Sequence, residues 1–264
     1  KKNSKIIMKE YIIYEQPAAE NIRNFLKCEY LFEKFNSALS QQDLWGVKSS
    51  ISTLLEMSDF FSRINLKVEL LKDLEKCILY FNNLTNNNDV DAIVLDDFIS
   101  KIEESIDMLN NINGNPSKLI VDNDFLMQIN NKIHIPAGDN FFDMPSYLNF
   151  LSSSKSSILE HINMWYEPFS PLILASKLIL NARRDTTDFV PYTSSKSYFE
   201  KKLDKSSRVD LVRIKLLKKD NLYPVISVNR QNINVIFKTS YGKNKLSKPI
   251  IENNEFSLSL SGLK

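Results

Sequence analysis

The sequence predicts an α+β fold, with an N-terminal all-helical domain followed by a small antiparallel β domain. Three observations lead there. Apolar residues recur every three to four positions through the first two-thirds of the chain. A polar, mixed stretch, RRDTTDFVPYTSSKSYFEKKLDKSS, then interrupts the pattern over residues 183–207. Beyond it, apolar and polar residues alternate with a period of two. These observations place a helical domain over residues 16–184 and a β-strand domain over 185–264, the latter joined by an N-terminal strand over 9–15.

Taken in order, the first helix lies within Tyr14–Phe35, YEQPAAENIRNFLKCEYLFEKF. Pro17 suits the first helical position, where a missing N–H removes no bond. At about 100° per residue, Phe25, Cys28, Leu31, Phe32 and Phe35 share one wide face. Arg23, Lys27 and Lys34 share another, within about 40° of one another, with Tyr30 beside them. A buried helix showing a basic stripe and one aromatic suits an acidic partner better than a catalytic pocket. A second helix is predicted over Leu44–Met57, with Ile51, Leu54 and Leu55 inward. A third covers Leu66–Asn82, where Val68, Leu71, Leu74, Ile78 and Phe81 recur, before the tract NNLTNNNDVD breaks the pattern. A fourth covers Ala92–Asn111 on the stripe Ile99, Ile102, Ile106 and Leu109, and ends at Gly114 and Pro116.

A short helix over Asp124–Lys132 leads to IHIPAGDNFFDMPSYLNFL, read as an extended run, a turn at Pro136–Ala137–Gly138, and a helix restarting near Pro145. Two further helices follow over Ser156–Tyr166 and Pro171–Arg183, the second with Ser170 and Pro171 as cap and first residue. The polar stretch after them reads as a connection or a partly ordered excursion. Strands are predicted in VDLVRIKLL, LYPVISVN, NINVIFKT and EFSLSLS. In the last, Phe256, Leu258 and Leu260 alternate strictly with Ser257, Ser259 and Ser261. Tyr11–Tyr14, YIIY, supplies the N-terminal strand. No internal repeat is present.

At 264 residues, 43% hydrophobic and 25% charged, the chain can bury one large core or two smaller ones. Five glycines disfavour Gly-rich phosphate loops. The net charge of +2 is unevenly spread: from Asp185 onward there are 15 Lys and Arg against 8 Asp and Glu, leaving 19 against 24 before it. Such a charge dipole steers an acidic partner and weakens with salt. Cys28 and Cys77 have no metal spacing and read as reduced, packed thiols, which implies a reducing compartment. No apolar run reaches the roughly 18 residues of a membrane span, and the basic N-terminus lacks a signal peptide's apolar core. The expected location is cytoplasmic, with Met8 as the natural start and Lys1–Ile7 as an upstream extension.

Little in the sequence nominates an enzyme. His134 and His161 have neither zinc spacing nor a cysteine cluster nearby. There is no nucleophile elbow, P-loop or dinucleotide fingerprint. Glu103–Glu104 and Asp96–Asp97 fall on predicted helix surfaces, the ordinary place for solvated charge. No catalytic, cofactor-binding or metal-binding residue is assigned. A basic ridge with aromatics could bind nucleic acid, but the chain is not strongly basic and lacks the motifs of common nucleic-acid modules. A non-catalytic protein- or nucleic-acid-binding scaffold remains the alternative reading.

Three places resemble one family, ZapD, the bacterial Z-ring-associated protein D. The first is Glu15-Gln16-Pro17, then Arg23, then Leu26-Lys27-Cys28-Glu29-Tyr30-Leu31, similar to the family's Glu-x-Pro start and basic amphipathic helix. The second is Ile135-Pro136-Ala137-Gly138 with Phe142-Asp143-Met144-Pro145, similar to its Ile-Pro-Gly-Gly turn and Phe-Asp-Leu-Pro helix start. The third is Leu222-Tyr223-Pro224-Val225-Ile226-Ser227, similar to its Leu-Tyr-Pro strand. Pro171-Leu172 and Arg184 echo a Pro-Leu helix that ends near an arginine. The chain departs from the pattern at Ala137, where a glycine is usual, at Lys27, where arginine is common, and at Phe25 and Phe150, where tryptophan is frequent. Asp122 and Asp124 also make the stretch before the turn less basic.

The resemblance implies a cytoplasmic homodimer without enzymatic activity, without cofactors, and without membrane insertion or nucleic-acid binding. It implies binding to the C-terminal tail of FtsZ, the tubulin-like division GTPase, at mid-cell. Cross-linking and bundling of FtsZ protofilaments, Z-ring assembly and slower GTP turnover would follow. Carried onto this chain, the partner-binding residues are Lys27 and Arg23, one helical turn apart, then Lys132 near the Ile-Pro turn, then Arg184. The last could instead cap its own helix through the final carbonyls.

Overall fold

The computed structural model describes residues 10–84, 91–204, 208–218, 222–239, 248–249 and 253–263. Strand β1 (Tyr11–Pro17) opens the chain. Among the described residues nine helices follow: α1 (Glu20–Gln41), α2 (Leu44–Arg63), α3 (Leu66–Leu84), α4 (Ala92–Asn110), α5 (Lys118–Val121), α6 (Asp124–Ile133), α7 (Pro145–Leu151), α8 (Lys155–Tyr166) and α9 (Ser170–Asp185). Strands β2 (Val190–Thr193), β3 (Tyr198–Lys202), β4 (Leu211–Leu217), β5 (Leu222–Val228), β6 (Asn232–Thr239), β7 (Lys248–Pro249) and β8 (Glu255–Ser261) complete it. The α+β class is as the periodicities predict. Among the described residues two compact units emerge, one of those within 1–23 and 181–264 and one of those within 24–180.

In the helical unit, the apolar stripes read for α1, α2 and α4 hold most of the buried residues, whereas in α3 Val68 is 50% exposed and the buried face is Leu66, Leu70, Leu74, Cys77 and Phe81. Phe25, Cys28, Leu31 and Phe35 of α1, Ile51, Leu54 and Leu55 of α2, and Ile102 and Leu109 of α4 are all buried. Asp43 caps α2 by accepting the Gly46 N–H at 2.7 Å, and Asn123 caps α6 by accepting that of Leu126 at 3.1 Å. Both cysteines are buried.

In the strand unit, one antiparallel sheet has the order β1-β4-β8-β2 and the other β3-β6-β5, with β7 continuing beside β6. The two share a core of Val212, Ile214, Leu216, Leu222, Ile233, Val235, Phe237, Phe256 and Leu258. Rings of Tyr192, Phe199, Phe237 and Phe256 interlock within it at 5.0–6.1 Å.

Several local expectations are corrected. Pro17 ends β1 rather than starting a helix: Glu15–Pro17 pair with Leu211–Arg213, so the ladder claims them, and α1 begins at Glu20. Ser170 is not a cap, because the 3-10 turn Glu167–Phe169 runs into α9 and leaves Ser170 already helical (φ −52°, ψ −47°). The run before the Ile-Pro turn is not extended: α6 reaches Ile133, and His134 stays helical as its C-cap. The polar stretch is not a plain connection, since it carries β2 and β3. Both are short, and β3 turns only Phe199 and Lys201 inward, too few apolar residues for local pattern to reveal. In β8 the alternation holds through Leu258, after which Ser259 and Ser261 are the buried residues. Most of the NNLTNNNDVD break lies outside the described residues.

Candidate functional site

The basic ridge exists on α1, and its members differ in how free they are. Arg23 is exposed and pairs with Glu20 one turn earlier, Nε to Oε2 at 3.3 Å, a solvent-screened contact. Lys27 is exposed and meets no carboxylate among the described residues. Tyr30, in the next turn, is 62% exposed. Lys34 is neutralised by Glu56 of α2.

The helix presenting them is firmly held within its unit. Phe35 stacks on Tyr166 at 4.8 Å, Lys177 Nζ sits 3.9 Å above the Phe32 ring, and Asn24 donates to Glu69 at 3.1 Å. Burial pushes the Cys28 thiol up to about 12, so it remains a neutral packing group.

Arg184 is engaged internally. Its Nε and Nη2 fork onto the two oxygens of Glu15 at 2.9 and 2.7 Å, tying the end of α9 to β1. Arg213 joins the same carboxylate at 3.3 Å, and its Nη1 donates to the Arg184 carbonyl at 2.8 Å. One carbonyl of the last turn of α9 is therefore satisfied by Arg213. Burial holds the Arg213 guanidinium below its usual value, with Glu15 opposing that shift.

Lys132 stands half-buried in the last turn of α6, with no carboxylate partner among the described residues. Its carbonyl accepts the Ile135 N–H at 2.9 Å, and the Gly138 N–H then bonds to the Ile135 carbonyl at 2.8 Å. A Cβ at Gly138 would lie 2.3 Å from the Lys132 carbonyl oxygen, so this position requires glycine. Ala137 adopts φ +55°, a left-handed conformation that suits glycine better. Of the four predicted residues, Arg23 and Lys27 share one exposed helix face. Lys132 sits on another helix, and Arg184 in an internal ion-pair cluster.

Sequence reasoning missed Lys48. It is buried at 8% exposure on α2. Its ammonium binds the Asp139 carboxylate at 2.6 Å and the Asp139 carbonyl at 3.0 Å, and it faces the rings of Trp45, Phe141 and Tyr147 at 5.1–5.4 Å. It fastens the segment after the Ile-Pro turn to α2. The available signal was spacing: Lys48, Ile51 and Leu55 occupy i, i+3 and i+7, which puts a lysine on the apolar stripe.

Among the described residues no cluster of three or more His, Cys, Asp or Glu is placed to hold a metal ion, and no helix is long and apolar enough to cross a membrane.

Comparison with known proteins places this arrangement. The family model ZapD, described as a cell division protein, matches residues 26–236. The cell division protein ZapD of Ralstonia pickettii is 30% identical over 251 residues, covering 94% of this chain and 98% of that one. That of Nitrosomonas europaea is 27% identical over 235 residues, covering 89% of each. That of Cupriavidus taiwanensis is 32% identical over 174 residues, 66% of this chain and 69% of the other. With a family model matching well over half of its length, this chain belongs to the ZapD family of cell division proteins.

Proposed function

We propose that this protein binds the C-terminal tail of FtsZ through the Arg23–Lys27–Tyr30 face of α1, and as a two-fold dimer cross-links FtsZ protofilaments. The observation that carries this reading is Lys27: an exposed ammonium with no carboxylate partner among the described residues, next to an exposed tyrosine on a rigidly packed helix. A cation and a ring side by side suit a peptide that carries acidic and apolar residues. A dimer repeats the face by symmetry, and two equal faces can join two filaments. Weak single contacts suffice, because a filament offers many tails at high local concentration.

The role is not catalytic. Lateral bundling stabilises the filament and slows GTP turnover without a reacting group on this chain, and it favours Z-ring assembly. The protein works in the cytoplasm and gathers at mid-cell with FtsZ. Lys132 is a secondary contact in this proposal. Arg184 acts indirectly, by holding β1 and the end of α9 together.

The test is co-sedimentation with polymerised FtsZ and with FtsZ lacking its C-terminal tail, each at low and raised salt. Pelleting that needs the tail and weakens with salt supports the reading. Equal pelleting of tail-less FtsZ, or no pelleting at all, overturns it.

A further inference from the structure

Helix α3 has two unlike faces. Leu66, Leu70, Leu74, Cys77 and Phe81 are buried in the helical unit. On the opposite face, about 180° away at 100° per residue, run Val68, Lys72, Glu75 and Leu79. All four are exposed, and Val68 and Leu79 leave large apolar side chains in water at 50% and 65% exposure. One buried stripe is enough to hold a surface helix in its fold. The second stripe is therefore not explained by packing within this chain.

The second stripe has the spacing of a coiled-coil seam. Its residues fall four, three and four positions apart, which keeps them in line along the helix. Their order is apolar, basic, acidic, apolar, and that order is its own complement when reversed. Two copies laid antiparallel, around a two-fold axis that crosses α3 between Asp73 and Leu74, set Val68 against Leu79 of the second copy and Lys72 against Glu75 of the second copy. Symmetry repeats each contact, so two apolar pairs flank two ion pairs.

The two central charges are uncommitted. Lys72 and Glu75 meet no oppositely charged group among the described residues, whereas the neighbouring Lys76 pairs with Asp73 at 2.8 Å. A parallel arrangement sets Lys72 on Lys72 and Glu75 on Glu75, and charge rejects it. A lipid surface fits less well, because it would meet both charges at the centre of the stripe, between the apolar ends.

We propose that α3 is a self-association surface, on which a second copy of this chain docks its own α3 antiparallel with the two-fold axis at the helix midpoint. For its use the inference rests on the function proposed above: the dimer that cross-links filaments then has a named seam. From Val68 to Leu79 the seam is roughly 17 Å long at about 1.5 Å per residue. That is short for an obligate interface, so pairing is reversible and depends on protein concentration.

The test is sedimentation equilibrium of the full-length protein over a range of concentrations, without FtsZ. Lys72→Glu sets acid against acid in both central pairs, and Glu75→Lys sets base against base. Each variant alone should dimerise about tenfold more weakly or worse, with an unchanged melting temperature because both positions are exposed. An equimolar mixture of the two should regain the affinity of the parent protein, since each variant supplies the charge the other lacks. Cross-linking reads the register. Val68→Cys and Leu79→Cys proteins, treated with a short bismaleimide, should join when mixed and far less when either is treated alone, because like positions lie roughly 17 Å apart. Cys28 and Cys77 are buried and stay out of the reaction. Dimerisation that both charge variants leave unchanged, a mixture that fails to restore it, or equal cross-linking of each cysteine variant alone overturns the α3 seam and leaves FtsZ binding standing. A parent protein that stays monomeric at every concentration overturns both the seam and the two-fold dimer of the proposed function.

Discussion

Lys48 sits at 8% exposure, where Asp139 and three rings stand in place of water around its ammonium. Removing the anion leaves the cation stranded, whereas removing the cation leaves a partly solvated carboxylate. Asp139→Ala is therefore expected to cost about 2 kcal/mol, moderated by the one-third exposure of the Asp139 side chain, and Lys48→Met appreciably less. Urea unfolding midpoints compare the two. Cys28 gives a pH prediction. Its thiol titrates at 9.0 ordinarily and near 12 when folded. Above pH 9 the unfolded thiol ionises and the folded one does not. The contribution is complete below pH 9 and is lost as pH rises toward 12, by about 1.4 kcal/mol per unit. Cys28→Ala should flatten that part of the decline in urea midpoints between about pH 8 and about pH 10.5. Neither the role of Lys48 nor that of Arg184 was legible from local pattern. A lysine reads as surface until its anion is known, and Glu15 lies 169 residues from Arg184.

At the scale of elements, long periodic segments were readable because burial of one face dictates their spacing. The stripes of α1, α2 and α4 are the buried faces of those helices, and β4, β5, β6 and β8 fall where alternation places them. Junctions were not readable. Pro17 fits a helix start and an outward strand position equally well, and only pairing with Leu211 decides between them. Strand β1 depends on Glu15, which joins it to Arg184 of α9 and Arg213 of β4. Glu15→Gln keeps the shape but leaves two partly buried guanidiniums facing each other, and should cost about 1–2 kcal/mol. Hydrogen exchange should quicken in β1 and the last turn of α9 while staying unchanged in α2. Uniform exchange across these elements would show that the cluster does not hold the strand.

For the whole molecule, family membership ties a helical unit and a basic strand unit to cell division. The charge asymmetry was visible in the sequence, and so was the ridge on α1. Which ridge cations are free was not, because it depends on Glu20 and on Glu56 of another helix. The structure leaves Lys27 as the ridge cation without a carboxylate partner among the described residues, and the proposed function rests on it. The most direct measurement is FtsZ pelleting with Lys27→Glu, alongside its melting temperature and its mass in solution. The exposed position predicts unchanged melting temperature and oligomeric state, with bundling abolished. A folded Lys27→Glu protein of unchanged mass that pellets FtsZ as well as the parent protein does would contradict the account.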